Sequence, residues 1–252
     1  MKLVNDLALR TKLIGAFLLL GTIPCLTIGI LITKISSDGL EERSFSQLEA
    51  LRDLKKDQIG AYFDGIQNGM RTKSSSPEII AATKDFKAAW KDLEKNLSSA
   101  SNDSKTRLAA YYNNQFGERY REQNTGHSAD FSSLYLGMKP VTQYLQDAYI
   151  ANNPNPLGEK DALERASSSE RYHEVHERNH PGMRDYLQAY GYYDIFIVEP
   201  ENGYIVYSVY KETDYATSLK TGPYAATGIA EAFRAAFDWT DPKDTFLTDY
   251  AS

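Results

Sequence analysis

Cysteine is almost absent from this sequence of 252 residues, since Cys25 is the only one. It lies inside an uncharged apolar run, so the rest of the chain can form neither a disulfide nor a thiolate metal site. Two common catalytic signatures are missing as well: there is no G-x-S-x-G and no P-loop, although residues 176–180 (HERNH) match the pattern H-E-x-x-H. We therefore expect a protein that is not an enzyme, carries no cofactor and stabilises its core by packing alone.

An excess of basic residues is also missing. The formal net charge is −6, and nearly all of the acidic residues follow the apolar run. Negative charge repels nucleic acids and anionic lipids, so the composition argues against both as partners. The roughly 220 residues beyond the apolar run are enough for one or two domains.

The apolar run is the first positive feature. Leu13–Thr33 contains 21 residues without a charge, close to the ~20 that are needed to cross a ~30 Å hydrocarbon core. Lys2, Arg10 and Lys12 precede it, which predicts that residues 1–12 are cytoplasmic and that the remainder lies on the other side of the membrane. The alternative is a cleaved signal peptide, but Lys34 and its neighbours offer no small-residue cleavage pattern.

Residues 34–150 are expected to form an extracytoplasmic helical stalk and bundle. From Ile35 to Met70, apolar side chains recur at three- and four-residue steps without a proline. A helix of that length is hard to bury alone, so we expect it to pair with a second copy as a homodimer; packing against its own chain is the alternative. Ser76 is placed to cap the next helix, with Pro77 in its first turn. Further helices are expected at 78–97, 106–123 and 140–149, with loops at 124–138 and 152–158.

Residues 151–252 are expected to form a separate α+β domain that begins with a helix. Ser168 or Ser169 is a candidate cap for this helix. We expect the helix to end near Asn179, because Pro181 disfavours helical geometry at the residue before it. Pro181 itself suits the first turn of a following piece, which is expected to continue through Ala189.

A hairpin is expected next in this domain. Two runs of β-branched and aromatic residues, Tyr193–Val198 and Tyr204–Tyr210, flank a five-residue turn and predict two antiparallel strands. Gly222-Pro223 then precedes an amphipathic helix, and Thr245–Tyr250 is typical of a third strand. Because a sheet of three short strands leaves exposed edges, we expect the sequence to end inside a domain.

Several stretches resemble bacterial chemoreceptors. The opening LALRTKLIGAFLLLGTIPCLTIGILI is similar to the start of many methyl-accepting chemotaxis proteins, and LRDLKKDQIGAYFDGI resembles the stalk of a subset of them. The stretches YLQDAYIANNPNPLGEK, YHEVHERNHP and GYYDIFIVEPENGYIVYSVYKETDYATSL resemble the Cache (PAS-like) sensory domain of that subset. The resemblance implies a helix that spans a bacterial inner membrane, a periplasmic stalk and a periplasmic Cache domain with an antiparallel sheet. The role of this domain is to bind a small-molecule ligand in chemotaxis.

The resemblance leaves other functions open. The same module occurs in some membrane-bound cyclases and histidine kinases, and a membrane-anchored binding protein without an output domain is a third possibility. Chemoreceptors continue with further strands, a second spanning helix, a HAMP linker and a methylated coiled coil, none of which is in this sequence. We therefore expect a Cache domain that is incomplete at its C-terminus.

The predicted hairpin supplies one set of candidate site residues. In the family, small ligands lie on a face of the antiparallel sheet under the connecting loops. Asp194, Tyr207 and Ser208 are expected to offer polar contacts there within an apolar pocket. In the alternative interpretation, Asp194 caps a turn and the tyrosines belong to the core. Lys211, which follows the second strand, is expected to hold a charged group of the ligand, and Tyr215 to cover the pocket.

Clustered histidines supply the second set. His173, His176 and His180 are three of the four histidines in the chain, and on a continuous helix they would share one side with Arg184. Imidazole suits transition metals, but the H-x₂-H-x₃-H spacing of the three histidines is not by itself a specific zinc signature. Packing beneath a loop and sensing of pH are further alternatives. We assign the histidines to ligand contact, together with Arg178 and Arg184, and expect no metal.

Overall fold

The computed structural model describes residues 8–127, 129–238, 241 and 244–248. This part of the chain is mostly helical, with one small antiparallel sheet of two strands, which agrees with the expected α+β class. The chain divides into two compact units, Met1–Ile66 and Gln67–Ser252. The second unit combines part of the predicted bundle with the predicted sensory region.

Helix α1 runs without interruption from Leu9 to Ser74, a length of 66 residues. The helices predicted over Leu13–Thr33 and Ile35–Met70 are therefore parts of one element. By length and composition, the apolar part of α1 is suited to cross a membrane, since its most apolar window has a mean hydropathy of 2.2. None of the residues of α1 is buried by the chain itself, although many of them are large and apolar.

The other helices lie in the second unit. Helix α2 covers Pro77–Asn96, and Ser76 caps it as predicted, because the hydroxyl of Ser76 accepts a hydrogen bond from the amide of Ile79. The remaining helices in the described residues are α3 (Asn102–Tyr111), α4 (Gly117–Gln123), α5 (Ser132–Leu136), α6 (Pro140–Gln146), α7 (Arg171–Tyr190) and α8 (Gly228–Phe237). Wider π-helical turns follow α3 and α6, at Tyr112–Phe116 and Asp147–Ala151, and a short 3-10 turn covers Lys160–Ala162.

The prediction that Pro181 breaks the helix was wrong. Helix α7 passes through Pro181 and continues to Tyr190, where it is capped by Gly191 in a left-handed conformation with φ of 67°. A proline inside a helix costs about 3 kcal/mol or more, because it removes one hydrogen bond and crowds the preceding turn. The buried face of α7 continues on both sides of the proline, with Val175 before it and Met183 and Leu187 after it. This packing outweighs the local cost.

Two smaller predictions also need correction. The residue that precedes the first turn of α7 is Glu170, which makes no side-chain capping bond, and not Ser168 or Ser169. Helix α7 therefore begins without a capping side chain. In addition, the predicted loop at 124–138 contains the short helix α5.

The predicted hairpin is present with shorter strands. Strand β1 covers Phe196–Val198 and pairs antiparallel with β2, Ile205–Ser208. The register shifts between Ile197 and Val198, which marks a bulge. The turn is closed by Glu199, whose carboxylate accepts hydrogen bonds from the amides of the second and third residues after it. The predicted third strand is not formed at residues 245–248, and Asp249 and Tyr250 lie outside the described residues.

The core of the second unit lies between α2, α7 and the hairpin. The ring of Phe86 on α2 lies 5.6 Å from that of Tyr172 on α7 and 4.9 Å from that of Tyr207 on β2. Trp90, one turn further along α2, packs against Tyr204 at 5.0 Å. Aromatic pairs at these distances add to the free energy gained by burying the rings, so this core holds the hairpin and α7 in fixed positions.

Candidate functional site

The carboxylate of Asp194 caps the open end of the hairpin, which is the end opposite the connecting turn. Its Oδ1 accepts hydrogen bonds from the amides of Ile195, Val209 and Tyr210 at 2.6, 2.9 and 3.2 Å, and its Oδ2 accepts one from the hydroxyl of Ser208 at 2.8 Å. Burial raises the pKa of Asp194, and these donors oppose the rise. All of these partners belong to the hairpin, which is the arrangement expected of a turn-capping residue.

The side chain of Lys211 is directed into the core by this hairpin end. Its backbone has a φ of 58°, and its amide donates to the hydroxyl of Ser208 at 2.9 Å. The amine Nζ donates to the carbonyl of Val209 at 2.9 Å and lies 5.2 Å from the ring centre of Tyr207 and 5.7 Å from that of Tyr149. It makes no ion pair with the described residues, and burial lowers the pKa of Lys211 to about 7. The amine is therefore partly uncharged near neutral pH.

Two histidines of α7 stack beside this amine. The rings of His176 and His180 are 4.5 Å apart. His180 Nε2 lies 2.6 Å from the carbonyl of Asp161, so it is the donor nitrogen, and Nδ1 accepts from the hydroxyl of Tyr207 at 2.7 Å. His176 Nδ1 donates to the carbonyl of Glu164 at 2.6 Å, which leaves Nε2 as a buried acceptor without a partner among the described residues. Burial lowers the pKa of His180 to about 3 and that of His176 well below its usual value, so both rings are neutral.

The third histidine of α7, His173, lies near the other two. His173 lies between two tyrosine hydroxyls, with Nε2 2.9 Å from that of Tyr144 and Nδ1 2.9 Å from that of Tyr149. Arg184, one turn beyond His180, pairs with the carboxylate of Asp161 at 2.7 Å. The continuous helix thus places the three histidines and Arg184 on one side of α7, the arrangement that the sequence suggested for an unbroken helix.

The remaining predicted contacts lie elsewhere. Arg178 is exposed and pairs with Asp85 on α2. Tyr215 is fully buried, and its hydroxyl lies 2.7 Å from that of Tyr172, which in turn donates to the carbonyl of Val206 at 2.6 Å. Tyr215 therefore belongs to the core and does not cover an open pocket.

A cavity of about 610 Å³ lies beside the histidine and lysine cluster. Its wall combines helical residues from 111–123, the loop at 157–160 and the open end of the hairpin. The charged residues in the wall are Arg119, Lys160, Lys211 and Glu212, and the aromatic ones are Tyr111, Phe116, Tyr193 and Tyr210. Of the predicted site residues, Lys211 is the one that the cavity shares.

Lys160 is a buried lysine in the wall of this cavity. Only 3% of its surface is exposed. Its Nζ donates to the carbonyl of Asn153 at 3.0 Å and lies 6.0 Å from the ring centre of Tyr111. Burial lowers the pKa of Lys160, and no carboxylate among the described residues forms an ion pair with it. A buried ammonium in this state favours an anionic group as its partner.

Glu212 provides the opposite charge at the rim. Its carboxylate accepts from the hydroxyl of Tyr193 at 2.9 Å, and burial raises the pKa of Glu212. No cation among the described residues forms an ion pair with it, so it is available to a hydrogen-bond donor of a ligand. Arg119, also in the wall, pairs with Glu122 at 3.4 Å and is largely exposed. Cationic and anionic groups thus share one aromatic-lined cavity.

No local sequence pattern predicts this cavity. Lys160 follows a turn-rich segment, where a lysine is usually solvated, and Tyr111 and Phe116 read as the apolar face of a helix. The π-helical turn at Tyr112–Phe116 shifts the helical phase after α3. This turn and the loop at 157–160 meet only in the folded chain, so spacing along the sequence does not reveal the wall.

Comparison with known proteins gives no match: no family model, no curated protein and no solved structure is significantly similar to the chain. Within the described residues, no group of three or more His, Cys, Asp and Glu side chains is placed to hold a metal ion. The described residues of the site offer hydrogen bonds, charged groups and a buried amine.

Proposed function

We propose that the chain is the ligand-sensing region of a transmembrane chemoreceptor, acting in signal transduction and not as an enzyme. The observation that carries this proposal is the cavity beside the hairpin, where the buried ammonium of Lys160 and the carboxylate of Glu212 lie between aromatic rings. A volume of about 610 Å³ falls in the ~300–1,000 Å³ range of small-molecule sites. The apolar part of α1 supports a membrane anchor, and the stretches similar to chemotaxis receptors support the class.

The wall chemistry defines the ligand that fits. Lys160 and Arg119 suit a carboxylate or another small anion, whereas Glu212 suits an amino or hydroxyl donor. The rings of Tyr111 and Tyr210 suit an apolar body. The ligand is therefore a small organic molecule with an anionic group and a donor group. It is sensed only if it binds one conformation of the receptor more tightly than the other.

The proposal also includes a homodimer formed along α1. The periplasmic part of this helix exposes large apolar residues in the isolated chain: Phe45, Leu48, Leu51, Ile59, Tyr62 and Phe63. Exposed apolar side chains at helical spacing are covered when two copies pair as a coiled coil. In this arrangement the N-terminus is cytoplasmic and the second unit is periplasmic.

A thermal-shift screen of the full chain in detergent micelles tests the proposal. The library contains amino acids, organic acids and amines, and at least one compound is expected to raise the melting temperature in a saturable manner. Lys160→Met is expected to abolish that shift. Lys95→Met is the matched control, because Lys95 is exposed on α2, and it should leave the shift unchanged. A shift that survives in Lys160→Met, or no shift with any compound, would contradict the assignment of the cavity.

A further inference from the structure

Two buried groups near the cavity lack the partners that their chemistry requires. Lys211 Nζ has one acceptor, the carbonyl of Val209, and no carboxylate pairs with it among the described residues. His176 Nε2 is a buried acceptor without a donor among the described residues. A buried polar group without its full set of partners is unfavourable. Both groups therefore favour a reaction or a ligand that supplies partners to them together.

The same two tyrosine rings flank both groups. Tyr149 lies 4.4 Å from the ring centre of His176 and 5.7 Å from Lys211 Nζ, and Tyr207 lies 5.6 and 5.2 Å from the same groups. The amine and the imidazole are therefore neighbours in one aromatic compartment. Only 1% of Lys211 is exposed, which limits the species that reach its amine to very small uncharged molecules.

We propose that Lys211 is a site of reversible carbamate formation with carbon dioxide, with His176 as the base that takes up the released proton. The lone pair of Nζ attacks the carbon of CO2, a new N–C bond forms, and one C=O π pair becomes the lone pair of a carboxylate oxygen. One proton leaves Nζ and binds to Nε2 of His176. The products are a carbamate anion and an imidazolium, so the net charge of the compartment does not change.

The surroundings of His176 suit this role. Its Nδ1–H donates to the carbonyl of Glu164 at 2.6 Å, which fixes the tautomer and leaves Nε2 directed to accept a proton. In the unmodified protein the positive charge of Lys211 is one of the causes that lower the pKa of His176, after burial. When the amine of Lys211 becomes a carbamate anion, its repulsion of a protonated His176 is replaced by attraction. The imidazolium then donates to the carbamate, and both buried groups are satisfied.

The other charged and titratable groups around the compartment are already paired. His180 bonds Tyr207 and the carbonyl of Asp161. The carboxylate of Asp161 pairs with Arg184, that of Asp194 is bonded within the hairpin, and His173 lies between Tyr144 and Tyr149. None of these groups competes for the proton or the carbamate. The inference is independent of the proposed sensory function, because it concerns the chemistry of Lys211 and not the ligand cavity.

Carbamates can be trapped in place, which gives a direct test. The full chain in micelles is equilibrated with ¹³C-labelled CO2 and bicarbonate, treated with a trialkyloxonium salt that esterifies the carbamate, and digested for mass spectrometry. A labelled ester is expected on the peptide that contains Lys211. Lys160 is the internal control, because it is also almost fully buried and bonds one backbone carbonyl, but no unpartnered imidazole lies beside it among the described residues. Lys160 is expected to remain unlabelled.

Two variants test whether labelling depends on the amine of Lys211 and on the base at His176. Lys211→Arg keeps a positive charge but has no nucleophilic amine, so the label should disappear. His176→Gln keeps a donor for the carbonyl of Glu164 but has no basic lone pair, and the CO2 pressure for half-labelling is expected to rise about tenfold. The wild-type result stands even if a variant fails to fold. No label at Lys211, or equal label at Lys211 and Lys160, would overturn the proposal.

Discussion

The buried amine of Lys211 makes the stability of the fold depend on pH. Burial lowers the pKa of Lys211 from 10.5 to about 7. Between these two values the unfolded chain binds a proton that the folded chain has released, so stability rises with pH in this window. With ~1.4 kcal/mol for each pKa unit, the protein is expected to gain about 2 kcal/mol from this group between pH 7 and pH 9.

Lys211→Met removes the titrating group and keeps most of the side-chain volume. We expect its free energy of unfolding to lack the rise of about 2 kcal/mol between pH 7 and pH 9. At pH 7 it should be at least as stable as the wild type. The substitution loses the hydrogen bond to the carbonyl of Val209, worth about 1–3 kcal/mol, but it also removes a charge-burial cost of about 4 kcal/mol.

Urea unfolding of the full chain in micelles measures both quantities. The fluorescence of the buried Trp90 reports on the core, and a Trp239→Phe background makes it the only indole. Lys95→Met serves as the control, because an exposed lysine should not change the pH dependence. The reasoning is refuted if Lys211→Met and the wild type gain the same free energy between pH 7 and pH 9.

Three further predictions follow from the core, the histidines and the hairpin. Phe86→Ala is expected to lower the free energy of unfolding by about 3–5 kcal/mol, because it removes a fully buried ring; a cost below 1 kcal/mol in the same urea assay would contradict the packing described. Burial lowers the pKa of His180 to about 3, so the unfolded chain binds more protons below pH 6.5, and stability should fall as pH decreases from 6.5 towards 3. His180→Gln should reduce this loss of unfolding free energy at acid pH. An unchanged loss would contradict a neutral buried imidazole. Asp194→Ala should accelerate hydrogen exchange at the amides of Val209 and Tyr210, which donate to its carboxylate, and unaltered exchange there would contradict its capping role.

Sequence patterns predicted the helices and strands that are determined by residues close together in the chain. The absence of charge over Leu13–Thr33 and the helical spacing beyond it predicted the course of α1. Ser76 and Pro77 predicted the start of α2, because a cap and a first-turn proline act on neighbouring amides. The two β-branched runs predicted the hairpin, although the strands are shorter than the runs.

Long-range packing decided the features that sequence patterns missed. Pro181 has a strong local preference to end a helix, but the buried faces on either side of it keep α7 continuous. The same continuity places Arg184 on the side of α7 that carries the three histidines, which the predicted break had left open. The burial of Lys160 depends on a loop that folds against the π-helical turn, and nothing in its immediate sequence distinguishes it from a solvated lysine. The proposed site therefore had to be found from the fold.

Lysine-selective NMR tests the proposed sensory cavity most directly. The full chain is labelled with [¹⁵N]lysine and titrated in micelles with each member of a library of amino acids, organic acids and amines. At least one compound should shift the amide signal of Lys160 in a saturable manner and leave that of Lys95 in place. If every compound leaves Lys160 unchanged, or if binding shifts Lys95 and not Lys160, the cavity is not the ligand site.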